Sequence, residues 1–161
     1  MRRLLICLLM VSGLGAWPQA WAQERAIDKE VTVPAPVAAV WQSWTTRAGI
    51  EAFFAPEAEI DARVDGAFHI HFDPLAAPGM KGADTMRFLA LQPMKMLSFD
   101  WNAPPHLAQV RQQRTFVVVR LFDVDGQSTR VTLHHTGWGE GGEWDQPMPI
   151  STAPGAPCSA T

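Results

Sequence analysis

EAEIDARVDGAFHIHFD, residues 57–73, is two alternating runs around a turn. Glu57, Glu59 and Asp61 oppose Ala58, Ile60 and Ala62; after Val64-Asp65-Gly66, Phe68, Ile70 and Phe72 oppose His69, His71 and Asp73. A period of two puts alternate side chains on opposite faces of a strand, and Asp-Gly between two such runs is a strong hairpin signal. The stretch predicts an antiparallel pair whose core face carries Phe68, Ile70 and Phe72 and whose solvent face carries His69 and His71.

Upstream, Ile27, Lys29, Val31 and Val33 alternate with Asp28, Glu30 and Thr32, predicting a strand ended by Pro34 and Pro36. Val37, Val40, Trp41 and Trp44 then fall at helical spacing, which predicts a short amphipathic helix over about 36–45, with a second turn of helix over 48–54 closed by Pro56. Downstream, residues 74–84 hold two prolines and two glycines and read as a loop. Strands are predicted over 85–91, 96–101, 114–124 and 130–136, the last two joined by Asp125-Gly126. Seven strands with short turns and early helices make an α+β fold: an antiparallel sheet with one face that needs covering.

The ends differ in kind from this body. Met1-Arg2-Arg3 precedes an apolar run from Leu4 to Trp17 and then Ala20-Trp21-Ala22, the order of a secretory signal peptide cleaved after Ala22. The run is too short to cross a hydrocarbon core of roughly 30 Å, so no membrane anchor is expected after cleavage. Past Trp144, Pro147, Pro149, Pro154 and Pro157 rule out an ordinary amphipathic helix and predict a disordered, proline-rich tail over 146–161. The expected organisation is a leader over 1–22, one domain over 23–145 and that tail. The chain carries 13 Lys+Arg against 16 Asp+Glu, and loss of Arg2 and Arg3 would move the formal charge from −3 to −5, which argues against nucleic acid as a partner. Cys7 leaves with the leader and Cys158 stands in the tail, so no intrachain disulfide is expected. The expected address is periplasmic or secreted.

Val31-Thr32-Val33-Pro34-Ala35-Pro36, Val40-Trp41-Gln42-Ser43-Trp44-Thr45-Thr46, Phe53-Phe54-Ala55-Pro56, Trp101-Asn102, Arg114-Thr115 and His135-Thr136-Gly137-Trp138-Gly139 resemble the START-like (SRPBCC) superfamily. The branch they are most similar to is that of activators of the heat-shock protein 90 ATPase. The resemblance implies a helix-grip fold, in which a curved antiparallel sheet with short N-terminal helices wraps a long C-terminal helix and leaves an apolar cavity. It also implies a role in binding apolar small molecules or in docking on partner proteins. The long helix should begin near Trp144, where this chain turns proline-rich, and a truncated or frameshifted reading frame is the leading explanation. An uncovered sheet predicts marginal monomer stability and possible homo-oligomers through that sheet.

Candidate site residues follow from the inner face. Trp41, Trp44, Phe53, Phe54, Leu97, Phe99, Trp101 and Phe116 supply aromatic and aliphatic area that could line an apolar pocket, with Trp41, Phe54, Phe99, Trp101 and Phe116 the chosen candidates, and plain core explains most of them as well. With Val131 and Leu133 turned inward, His135 joins the inner face as the best polar group for a cavity, a satisfied core histidine being the plainer reading. His69 and His71 could chelate a metal, but Asp73 lies too far along the strand to close the site, so no metal is expected. Glu140-Gly141-Gly142-Glu143 pairs two acids on a glycine-rich loop with no fixed geometry. No serine elbow, phosphate loop or His-Glu-x-x-His occurs, so no catalytic residues and no cofactor are expected. The first expectation is an exported, noncatalytic domain that binds an apolar small molecule on the inner sheet face. The alternatives are a chaperone-activator-like interaction module and a cyclase- or hydrolase-type enzyme.

Overall fold

The chain is described by a computed structural model over residues 24–145, so the leader read over 1–22 and the tail read over 146–161 lie outside the described residues. The order is β1 (Ile27–Val33), α1 (Val37–Thr45), α2 (Arg47–Phe53), β2 (Glu57–Ile60), β3 (Phe68–His71), β4 (Gly82–Ala83), β5 (Phe88–Gln92), β6 (Met96–Trp101), β7 (Thr115–Asp123) and β8 (Thr129–Thr136). Every pairing is antiparallel: β1-β8-β7-β6-β5 form one sheet and β2-β3-β4 a smaller one. The curved sheet and two short helices are the helix-grip architecture.

Proline chemistry separates β1 from α1, since neither Pro34 nor Pro36 can donate to a ladder and Pro36 suits the entry to a helix. Thr46 then breaks the helical run with an extended backbone, and its Oγ1 accepts the Gly49 N–H at 3.0 Å, capping α2. Gly49 is required there, because a Cβ would strike the backbone of Gln42 and Ser43. The two helices lay Val40 and Ile50 on a core that includes Phe68, Phe88, Leu97, Phe99 and Val119. Phe68 links the two sheets, its ring 4.1 Å from that of Phe99 and 4.9 Å from that of Phe88.

The register defines the inner face. Ile27, His135, Val117, Phe99 and Phe88 make one row across the large sheet, and Leu133, Val119, Leu97 and Leu91 the next. Outer-face residues alternate with these, among them Asp100, Phe116 and Thr136 in one row.

Several expectations need correction. The strand predicted over 57–62 stops at Ile60, because Asp61 and Arg63 close a local turn through the Arg63 N–H to Asp61 carbonyl bond of 2.7 Å. The supposed loop over 74–84 contains β4, organised by the Asp84 carboxylate, which accepts the backbone N–H groups of Gly79, Lys81 and Gly82. The strand predicted from 85 begins at Phe88, with only an isolated bridge from Arg87 to Ala67 before it. Phe72 belongs less to the core than Phe68 and Ile70: β3 ends at His71, the chain bends towards Lys81, and Phe72 is left 41 % exposed. Nor are His69 and His71 simply solvated. They face Glu59 and Glu57 across the β2–β3 pair, at 3.0 and 2.7 Å, and the bond from His71 holds the Glu57 carboxyl below the usual carboxylate range.

The Glu140–Glu143 loop also has more geometry than its glycines suggest. Residues Gly142–Asp145 form a 3-10 turn in which Trp144 is buried against Ala103, Leu107 and Val110. Glu143 Oε2 accepts the N–H groups of Gln109 and Val110 at 2.9 and 3.1 Å. Opposite, Arg111 ties together the segments around residues 82 and 103: its Nη1 donates to the Ala103 carbonyl, and its Nη2 to the carbonyls of Gly79 and Gly82 and to Asp84. No helix among the described residues is long and apolar enough to cross a membrane.

Candidate functional site

The inner face changes character along β6. Phe99 is buried, while Trp101, two residues on and on the same face, is only half-buried. Around Trp101 the rings form a connected set: its centroid lies 6.1 Å from Phe54, 6.3 Å from Phe72 and 6.0 Å from Phe99. Trp44 extends the set from α1, stacked 6.2 Å from Phe99 and edge-on at 5.3 Å to Phe53. Most of these are edge-to-face or tilted pairs, the arrangements that the ring quadrupole favours. Trp41 packs on the same core from α1 and is half-buried. Phe54, Phe99 and Trp101 are thus brought onto one wall with Trp44 and Phe53, Trp41 packs on the core beside them, and Phe72, which the sequence reading had assigned to the core face, joins the wall.

Phe116 departs from this group. The period-two register of β7 puts it beside Asp100 and Thr136 on the outer face, 43 % exposed, where its ring packs against Gly137. Gly137 sits at φ +84°, and a Cβ there would come within 2.9 Å of the Phe116 ring. Asp100 is an outer-face residue that accepts the Arg87 N–H at 2.6 Å and pairs with Arg114 at 3.5 Å.

His135 does lie on the inner face, between Val117 and Ile27 in its row. Its Nε2 is 2.7 Å from Thr115 Oγ1, and the Trp138 ring covers one side at 4.5 Å. Burial pushes its pKa down to about 4, with a smaller contribution from the charge of neighbouring His134, so the ring is neutral near pH 7. No carboxylate is hydrogen-bonded to His135 among the described residues, so no acid/base pair is assembled on this wall. Among the described residues no three His, Cys, Asp or Glu side chains come together in a metal-holding group. A shallow depression on the other side of the sheet, lined by Asp28, Arg120 and His134 among others, lacks the aromatic wall. Its acids are already engaged, Asp28 with His134 at 2.8 Å and Glu30 with Arg130 at 3.1 Å.

Two features were hidden from sequence reading. The second aromatic cluster, Trp138 6.0 Å from Trp144 and edge-on to it, comes from a glycine-rich stretch without periodicity. Phe72 meets Trp101 just past the end of β3, a contact that local spacing does not specify. The repeated tryptophans in WGEGGEW were the available signal for the first.

Residues 34–152 match the family model described as activator of Hsp90 ATPase homolog 1-like protein. No curated protein matches the sequence. Among solved structures, protein MLL2253 from Mesorhizobium loti is similar at 22 % identity and a TM-score of 0.56, covering 71 % of this chain and 78 % of that one. PFC0360w, an HSP90 activator from Plasmodium falciparum, is similar at 14 % identity and a TM-score of 0.57, with coverage of 75 % and 79 %. CalU16 from Micromonospora echinospora is similar at 24 % identity and a TM-score of 0.52, covering 71 % of this chain and 60 % of that one. At these identities the likeness is one of fold.

Proposed function

This chain belongs to the activator of Hsp90 ATPase homolog 1-like family, and from that premise we propose that it is a noncatalytic module that binds an apolar small molecule on its concave face. The wall would be formed by Trp41, Phe54, Phe99 and Trp101, with His135 beside it. The observation that carries this reading is the connected set of rings around Trp101, in which Trp101 and Phe54 are half-buried and Phe72 exposed, with buried Phe99 behind them. Ligand pockets are lined in this way, by many apolar groups with few polar ones. A neutral His135 without a carboxylate partner supports the noncatalytic part.

The test is titration calorimetry of the full chain with a planar apolar probe such as 1-methoxynaphthalene. Binding that is weakened at least tenfold by Trp101→Ala and Phe54→Ala, and left unchanged by Phe116→Ala on the outer face, supports the site. Equal loss in all three variants, or no binding to the unaltered chain, overturns it.

The module is further proposed to act after export, with residues 1–22 as its cleaved leader. Intact-mass measurement on protein from the extracytoplasmic fraction tests this: a chain starting at Gln23 supports it, and an uncleaved chain retained in the cytoplasm refutes it. A second reading, docking of a protein surface or of a second copy of the chain on the same face, is favoured by apolar exposure at the sheet edge. Val31, on the inner face of the edge strand β1, is 54 % exposed. Sedimentation across a concentration series distinguishes self-association from the monomeric, ligand-binding case.

A further inference from the structure

We propose that His135 and Thr115 form a hydrogen-bonding pole at the end of the aromatic wall, selecting apolar ligands that carry a hydroxyl or phenol group. The inference rests on the binding-module reading and adds the chemistry that the wall would select.

The argument is one of proton placement. Thr115 Oγ1 has a single proton and two polar neighbours: the Trp101 carbonyl at 3.3 Å and His135 Nε2 at 2.7 Å. Both contacts are hydrogen bonds only if Thr115 donates to the Trp101 carbonyl and accepts from His135 Nε2–H. The reverse arrangement spends the hydroxyl proton on the histidine and leaves the Trp101 carbonyl without that donor. A neutral imidazole protonated at Nε2 presents a bare lone pair at Nδ1. Nδ1 has no hydrogen-bond partner among the described residues, and His134, the adjacent titratable group, points to the outer face and is bound to Asp28. The pole is therefore an acceptor, and it calls for a donor on the ligand.

Position agrees with this. His135 lies in the same cross-strand row as Phe99, with Val117 between them, so two strand spacings of about 4.8 Å each separate it from the aromatic wall. Val117 and Phe99 are themselves buried, so a fused bicyclic ring would rest on half-buried Trp101 beyond them and bring a hydroxyl to His135 across Thr115, which contacts both residues. Trp138 flanks the imidazole at 4.5 Å, and an apolar ligand that covers the pole without donating to Nδ1 would leave that nitrogen unpaired at a cost. Charge selects as well: no cation is hydrogen-bonded at the pole among the described residues, so an uncharged donor fits better than a carboxylate.

The experiment compares 1-naphthol with its methyl ether, 1-methoxynaphthalene, by calorimetry on the full chain. The two share a ring system and differ in the donor. A net neutral hydrogen bond corresponds to roughly 2- to 12-fold in affinity, so 1-naphthol should bind the unaltered chain several-fold more tightly. The preference should vanish in His135→Phe and shrink in Thr115→Val, while Trp101→Ala weakens both probes alike. A second readout needs no variant: in 15N-labelled protein the unprotonated Nδ1 of His135 should move upfield on adding 1-naphthol and stay put with the ether. Equal affinity for the two probes, with no movement of Nδ1, overturns the pole and leaves the binding module standing. Failure of both probes to bind overturns the module and the pole together.

Discussion

Under α1 and α2 the inner face is sealed: Phe68, Phe88, Leu97 and Val119 are fully buried, and the rings of Phe68 and Phe99 stack at 4.1 Å. At Trp101, one row beyond Phe99, and at His135, two strands away in the Phe99 row, the face stays half-buried; Phe54 and Phe72 close around Trp101 only in part, and His135 makes a polar contact with Thr115. The two halves are built from the same residue types at the same period. What separates them is the cover, complete on one side from two short helices and the small sheet, and incomplete on the other among the described residues. A core residue stabilises through the contacts it has made, whereas the aromatic wall holds apolar area that binding could still bury.

Substitutions can break that contrast. Phe68→Ala, in the sealed half, should cost about 3–5 kcal/mol by denaturant titration, because it leaves a cavity where two sheets and the Phe88 and Phe99 rings meet. Trp101→Ala, in the open half, should cost clearly less stability while weakening probe binding at least tenfold; a loss equal to that of Phe68→Ala would mean the wall is ordinary core.

The clasp between Arg111 and Asp84 comes next. Both side chains are nearly buried, at 12 % and 11 % exposure, so Asp84→Ala strips partners from a largely desolvated guanidinium and from three backbone N–H groups. About 2–4 kcal/mol should be lost, with limited proteolysis opening first between residues 73 and 84. Proteolysis beginning elsewhere would show that the clasp does not hold that segment.

Proton linkage sharpens the comparison between histidines. His135 binds fewer protons folded than unfolded between its folded pKa of about 4 and its unfolded value of 6.5. Stability is therefore fully present above pH 6.5, falls as the pH drops through that window and levels off below about 4, by at most roughly 3 kcal/mol. His135→Phe should remove most of that slope, and an unchanged slope would assign it to other groups. At the small end, Arg130→Ala breaks an exposed pair with Glu30 and should shift stability by no more than about 0.5 kcal/mol.

Much of this was legible in the residues. The alternation of β1, β3, β6, β7 and β8, the helical spacing of Val37, Val40, Trp41 and Trp44, and the Asp-Gly turns are local signals, and local sterics and burial periodicity enforce them. The family resemblance likewise rested on short motifs that keep their meaning out of context. Other features depended on partners far apart in the chain. Residues 82–83 became a strand through Asp84 and through Arg111, 27 residues beyond it. Glu143 found its role in N–H groups 33 and 34 residues earlier. Phe116 was misplaced because an aromatic in a long strand says nothing of which face is inner until the register is known, and a shift of one residue exchanges the faces.

The sequence by itself determined the two helices, the longer strands, their antiparallel character and the inward turn of His135, since each follows from spacing along a few consecutive residues. Only the tertiary structure decided that Phe54, Phe72, Phe99 and Trp101 share one wall, that Phe116 does not, and that His135 is neutral and bound to Thr115. Ring contacts, burial and proton placement depend on distances in space, and local spacing leaves those free until the strands pair.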